Sequence, residues 1–359
     1  MAITPEANAT SPGSKPSLPK ESRASRMWLW NTIIGLVLLA IISIIPLFND
    51  PAMLHTWTLI VMFCVLAQGW NFIGGFVGYA AFGNVVFFGL GSYAVGIMLN
   101  SGKPFWLGLL VALVIAVLFA FLVGLPILRL RGHYFAIATL GVAVAVGELV
   151  AARDIGGSGG LLSVHPPTLA ELPLFFYGFV GLSAITLVGT AVLSRSKFGY
   201  ALVAIRENEQ AAEALGIPTF WYKVGAFVLS AAPTALAGGL FAYWQLSFDP
   251  LGDGGAFDVT ISVAMILMTF LGGAGTIVGP ILGAIIIEYL DQTTTIAFPT
   301  FHGPLLGLLI ILVTIFLPQG LIRLAQELLR NPGGVKQSYP TRVKQGVQRV
   351  TRFILSNGV

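Results

Sequence analysis

Long apolar runs separated by short polar, Gly- or Pro-bearing breaks occupy most of the 359-residue chain. A helix crossing a bilayer core of roughly 30 Å needs about 20 mostly apolar residues. On that rule the pattern predicts ten spans: Trp28–Phe48, Ala52–Phe72, Tyr79–Leu99, Phe105–Leu128, Tyr134–Ala151, Leu172–Leu193, Val224–Leu246, Val259–Gly275, Val278–Phe298 and Pro304–Leu317. The third, eighth and tenth are short or rich in glycine. Residues 1–27 are polar and rich in Pro and Ser and read as a disordered tail, with no small-residue cleavage site before Pro46. After Pro318, residues 321–330 form an amphipathic piece expected to lie along the inner membrane surface, closed by Asn331-Pro332-Gly333-Gly334. The stretch from Arg342 to Arg352 reads as a solvated or lipid-facing tail. The expected organisation is a tail at 1–27, a transmembrane domain at 28–318 and a second tail at 319–359, in an all-α polytopic membrane fold.

Charge placement orients these spans. Alternating the loops from an inside N-terminus puts 17 of the 19 Lys and Arg residues on one side, leaving only Lys103 and Arg153 opposite. Basic residues are retained on the cytoplasmic side during insertion, so both termini are expected to be cytoplasmic. The net charge of +4 therefore reads as topology and gives no reason to expect nucleic-acid binding. With 56% hydrophobic and 9% charged residues, the chain has too few charges to coat a water-facing surface of its size.

Several chemistries lack their residues. Cys64 is the single cysteine, so disulfide and cysteine–metal frameworks cannot be built. No phosphate-cradling loop ending in Lys-Ser or Lys-Thr occurs. His55, His133, His165 and His302 are scattered without metal-ligand spacing. Glu148 alone lies clearly within a span, while Glu288 and Asp291 fall in the outer part of the ninth. One acid makes a thin ion relay, which favours a neutral or zwitterionic solute and an energy source outside this chain. Its bland reading is a carboxyl that holds helices together.

The longest inner loop, residues 194–223, carries the most informative local signal. Asn208 is placed to cap a short helix with Glu209 at its positive end. Residues 209–215 form about two turns, and Gly216 and Pro218 stop them. An isolated two-turn helix is marginal in water, so docking by another protein would explain it. The bland reading is a connecting loop with helical character. Phe72-Ile73-Gly74-Gly75 and Phe270-Leu271-Gly272-Gly273 echo one another, too briefly to establish a repeat. The glycines from Gly74 to Gly91 read either as close helix packing or as a broken helix lining a path, with Asn84 facing it.

Gln210-Ala211-Ala212 followed by Gly216 resembles the Glu-Ala-Ala-x-x-x-Gly coupling motif of ABC-importer membrane subunits, with Gln in place of Glu. The string from Gly199 to Gly216, and the block from Gly124-Leu125-Pro126 to Thr139-Leu140, are similar to M-type permeases of branched-chain amino acid importers. Phe87–Tyr93, Phe270–Thr276 and Pro318–Leu321 match further blocks of that family.

The resemblance implies a subunit that performs no chemistry and holds no cofactor, since ATP is bound by partners. Those partners are two cytoplasmic ATPase subunits, a second related permease and an extracytoplasmic solute-binding protein, at the inner membrane. It assigns coupling to Arg206, Glu207, Asn208, Glu209, Gln210, Ala211, Ala212 and Gly216. Candidates for the translocation path are Asn84, Thr139, Glu148, Gly156 and Gly157. Departures lie at Ala81 and Asn84, where family members often have Ser and His, at Val144, where an acid is common, and in the outer block Ile155–Leu161. Glu148, four residues beyond Val144 and so on the same helix face, is placed to substitute. The expected cargo is a branched-chain or similar apolar amino acid. The alternatives are urea or a short-chain amide, and a self-powered carrier with Glu148 as its relay.

Overall fold

The computed structural model describes residues 21–48, 51–153, 161–162, 171–245, 247–251, 254–297 and 320–322. They are almost entirely helical. The helices are α1 (Glu21–Ile42), α2 (Pro51–Trp70), α3 (Val85–Asn100), α4 (Phe105–Ile127), α5 (His133–Ala152), α6 (Leu172–Leu193), α7 (Lys197–Glu207), α8 (Glu209–Ala214), α9 (Thr219–Trp244), α10 (Val259–Gly272) and α11 (Gly279–Ala297). A short 3-10 turn, Ile45–Phe48, follows α1, and a π-helical segment, Asn71–Val77, extends α2. One two-residue antiparallel ladder pairs Leu161 with Phe248 and Leu162 with Ser247. Among the described residues, five helices are long and apolar enough to cross a membrane: α2 with its π extension, α4, α5, α6 and α9. The apolar parts of α1, α3 and α10 are shorter. The tenth expected span, most of the C-terminal tail and residues 1–20 lie outside the described residues.

The expected boundaries move where backbone chemistry overrides hydropathy. α1 begins at Glu21, inside the segment read as tail, because neither Gly nor Pro follows Pro19 until Gly35. The third span does not start at Tyr79. Gly78 takes a left-handed φ of 83°, which stops the helix, and α3 begins only at Val85. Neighbouring helices supply partners along the non-helical stretch between them and at the start of α3. Trp70 Nε1 donates to the Ala81 carbonyl (2.8 Å), Phe82 N to Thr139 Oγ1 (3.1 Å), and Val85 N to Ser262 Oγ (2.9 Å). Irregular backbone inside a membrane bundle needs such partners. α10 ends at Gly272 rather than Gly275, since Gly273 has φ 124° and Gly275 φ 76°. α9 starts at Thr219, so Lys223 belongs to a helix and not to the loop.

α2 is the central helix, with almost all of its membrane-length window buried, whereas α4 and α5 are mostly uncovered within this chain. Lipid is as apolar as leucine, so close packing, not water exclusion, holds such helices together. α3 crosses α9 closely. A Cβ at Gly91 would collide with the Ala235 carbonyl, and one at Gly238 with the Phe88 carbonyl. Ser92 Oγ reaches across to the Gly238 carbonyl at 2.9 Å. The glycines thus pack helices closely, and the helical backbone also breaks among them, at Gly78.

Candidate functional site

α2, α4, α6 and α10 finish at the same end of the bundle where α9 begins, and the α7–α8 arm lies there. α7 is an element that the loop sequence did not announce. Ser196 caps it by accepting from Gly199 N at 3.0 Å, and Gly199, Ala201, Leu202 and Ile205 form its buried stripe. The cap of α8 forms as expected: Asn208 Oδ1 accepts from Ala211 N at 3.1 Å. Ala214 ends the helix and Gly216 turns out at φ 84°.

α8 has two unlike faces. Its inward face is pinned. Glu209 Oε1 meets Lys223 Nζ at 2.8 Å, and Glu209 Oε2 accepts from the Tyr79 hydroxyl at 2.6 Å. Arg131 lies 3.5 Å from Glu209 and 3.0 Å from Glu213. Glu213 also accepts from Thr219 Oγ1 at 2.8 Å. Lys223, 3% exposed, completes its shell with the Leu128 carbonyl at 3.0 Å and the Tyr79 oxygen at 3.2 Å. A buried ammonium with a carboxylate and two further oxygens is the arrangement that burial of a charge requires. Ala212, 2% exposed, fits beneath the helix. The outward face carries Gln210, Ala211, Ala214, Gly216 and Leu215, which is 81% exposed, with Trp221 beyond it at 58%.

These surroundings shift the ionisable groups. Burial pushes the Glu209 carboxyl up, but hydrogen bonds from Lys223 and Tyr79, with the Lys223 and Arg131 charges, outweigh it and hold it below the usual range. Burial first, then the hydrogen bond and charge of Glu209, push the Tyr79 phenol up. Tyr79 therefore stays a donor and Glu209 an acceptor across the neutral range.

The coupling residues chosen from sequence divide accordingly. Gln210, Ala211 and Gly216 face outward. Asn208 is exposed and caps, and Glu207 is exposed and pairs with Arg206 at 3.2 Å. Glu209 and Ala212, both assigned to coupling by the resemblance, face the bundle instead of a partner. Arg206 turns to the membrane helices and donates to the Gly75 carbonyl at 2.7 Å.

Of the path candidates, Asn84 and Thr139 are buried together around the 78–84 break. Asn84 Nδ2 donates to Ser230 Oγ at 2.6 Å, and Thr139 Oγ1 donates to the Ala136 carbonyl at 2.9 Å. Glu148 lies apart from them, on the exposed face of α5 that it shares with Val144. Gly156 and Gly157 lie outside the described residues. Sequence reasoning missed Tyr79, Arg131, Lys223 and Leu215. The available signal was Lys223 in the first turns of an apolar run, a cation that needs an acid, with Glu209 upstream in the same loop. Among the described residues no three His, Cys, Asp or Glu side chains gather in a metal-holding group.

A family model described as the branched-chain amino acid transport system permease component matches residues 52–314. The chain is 30% identical over 308 residues to the high-affinity branched-chain amino acid transport system permease protein LivM of Escherichia coli (strain K12), covering 77% of this chain and 71% of that protein. LivM of Salmonella typhimurium matches with the same identity and coverage. This chain is also 29% identical over 273 residues to the autoinducer 2 import system permease protein LsrC of Enterobacter sp. (strain 638), covering 74% of this chain and 77% of that protein. With its membrane-length helices, the chain is a multi-pass transport permease and belongs to the branched-chain amino acid permease family.

Proposed function

We propose that this chain is one permease of an ATP-driven importer, carries branched-chain or similar apolar amino acids across the inner membrane, and performs no chemistry itself. It forms half of the path beside a second permease, receives its solute from an extracytoplasmic binding protein, and is moved by two cytoplasmic ATPases that bind and hydrolyse ATP. In this reading the chain makes ten crossings with both termini inside, and α8 is the element on which an ATPase docks.

The observation that carries the reading is the two-faced arm. A six-residue helix is too short to stand alone. This one is clamped inward by Glu209, Lys223 and Tyr79, and holds small residues and an 81%-exposed Leu215 outward. A rigid lever with an uncovered apolar tip suits a partner that pushes on it. The α5 face adds support for a second permease. Glu148 is exposed there, near the end of a membrane helix, and an acidic side chain facing lipid is unfavourable. A neighbouring permease, or water held between the two, removes that cost.

The test is ATP-dependent uptake of labelled leucine, urea and autoinducer 2 by the complete complex in proteoliposomes, with the wild type compared with Leu215→Asp. Leucine uptake that needs ATP, with Leu215→Asp lowering hydrolysis and uptake together, is the expected result. Uptake under an ion gradient without ATP or ATPase subunits overturns the reading in favour of a self-powered carrier. A second cargo class rests on one observation, the similarity to autoinducer 2 permeases, and ATP-driven uptake of autoinducer 2 but not leucine selects it. Urea uptake in place of leucine selects the short-chain amide alternative, which Ala81 and Asn84 motivate.

A further inference from the structure

Two membrane helices are interrupted at the end of the bundle where the α7–α8 arm lies. α2 loosens into its π segment before Gly78, and α10 gives way at Gly273 to the turn that starts α11. The interruptions touch. Asn71 Oδ1 accepts from Gly275 N at 2.8 Å, while Asn71 Nδ2 donates to the Thr276 carbonyl at 3.0 Å. One side-chain amide thus clasps a turn about 200 residues away in the chain.

Arg206, in the last turn of α7, enters this junction. Its Nη1 donates to the Gly75 carbonyl at 2.7 Å. A Cβ at Gly275 would lie 2.5 Å from the same Nη1, and a Cβ at Gly78 would lie 2.7 Å from Arg206 Cγ. Glycine is favoured at Gly78 and Gly275 by their left-handed backbone, and at Gly275 also by the Gly75 carbonyl, 2.9 Å from where a Cβ would sit. The guanidinium is permanently charged and planar, suited to a carbonyl at a helix end, where an unpaired backbone acceptor favours a cation. Glu207 holds the other side of the head at 3.2 Å.

We infer that Arg206 is a positioning residue that passes displacement of the coupling arm to both helix interruptions, through its seat among Gly75, Gly78 and Gly275. This rests on the importer reading and gives the arm a second attachment. The Glu209 network ties α8 to α9 and to Tyr79. Arg206 ties α7 to the π segment by a hydrogen bond and packs its head against Gly275 of the α10–α11 turn. π segments are local rearrangements of a helix, and their carbonyls can exchange partners without unfolding it. A push on the arm then moves the turn at Gly275 relative to α2 instead of bending the arm alone.

The test is the ratio of solute taken up to ATP hydrolysed by the complete complex in proteoliposomes. Arg206→Ala is expected to lower this ratio about tenfold, the effect of losing one charge-assisted hydrogen bond. Arg206→Lys, which keeps the charge and reaches one carbonyl, is expected to restore part of it and guards against a folding defect. Leu215→Asp provides the contrast, because a docking defect lowers uptake and hydrolysis in parallel and leaves the ratio in place. A ratio unchanged in both Arg206 variants overturns the inference. Absence of ATP-driven uptake by the unaltered complex instead fells the importer reading, before any variant is compared.

Discussion

The α3–α9 crossing and the junction under the α7–α8 arm both bring backbones close, by different means. At the crossing, Gly91 and Gly238 each face a carbonyl of the opposite helix, and Ser92 adds one hydrogen bond. Nothing there is charged, and the contact depends on shape. At the junction, Asn71, Arg206, Glu209, Lys223 and Tyr79 bridge the elements with side-chain hydrogen bonds and charge pairs. A shape contact is lost as soon as it is displaced, because dispersion falls off within an ångström. A polar clasp can exchange one partner for another, so the seam reads as a fixed axis and the junction as the part able to rearrange.

Four substitutions or conditions test that contrast, beginning with the largest effect. Gly238→Leu drives a side chain into the Phe88 carbonyl, and overpacking there is expected to cost on the order of 4–5 kcal/mol. Its signature is loss of folded protein from the membrane fraction and of a thermal transition in detergent. Survival of Gly238→Leu with a normal transition would show that the seam is not tight. Lys223→Met leaves Glu209 without its nearest cation and is expected to cost about 3 kcal/mol. Adding Glu209→Gln to Lys223→Met should recover part of that loss, whereas additive losses would mean the two groups do not act as a pair.

Asn71→Ala removes both bonds to the 275–276 turn and is expected to cost about 1–2 kcal/mol. Faster amide exchange confined to that turn and the π segment is the local readout, and uniform exchange across α3 and α9 would contradict the division. The smallest effect is pH. The folded value of Glu209 is lowered, so its contribution is fully present above its ordinary value near 4 and is lost as pH falls through the lowered one. Amide exchange in residues 209–215 should therefore rise in acid and stay level through neutral pH. Glu209→Gln should abolish the acid dependence.

Much of this was legible because the bilayer constrains composition so strongly. The apolar runs at 105–128, 134–151 and 172–193 became α4, α5 and α6 within a few residues. The α8 signal also held, since Asn208, Gly216 and Pro218 act through local backbone geometry that needs no tertiary partner. The boundaries at Tyr79, Gly275 and Lys223 misled, because hydropathy counts side chains and does not register a left-handed glycine or a lysine with a buried partner. The Phe-x-Gly-Gly echo looked like coincidence, yet its two copies lead into the touching breaks at Gly75 and Gly275.

The one-dimensional pattern alone determined that this is a helical membrane protein and that a short capped helix follows Asn208. Both follow from interactions within a few residues or with the solvent. Tertiary structure alone decided which side of the lever is free, that Ala212 and Glu209 turn inward, and that Arg206 reaches Gly75. The reason is physical: a side chain on a short polar helix is directed by the partners that come to meet it. Tyr79, Arg131 and Lys223 come from three other parts of the chain, which only folding brings together.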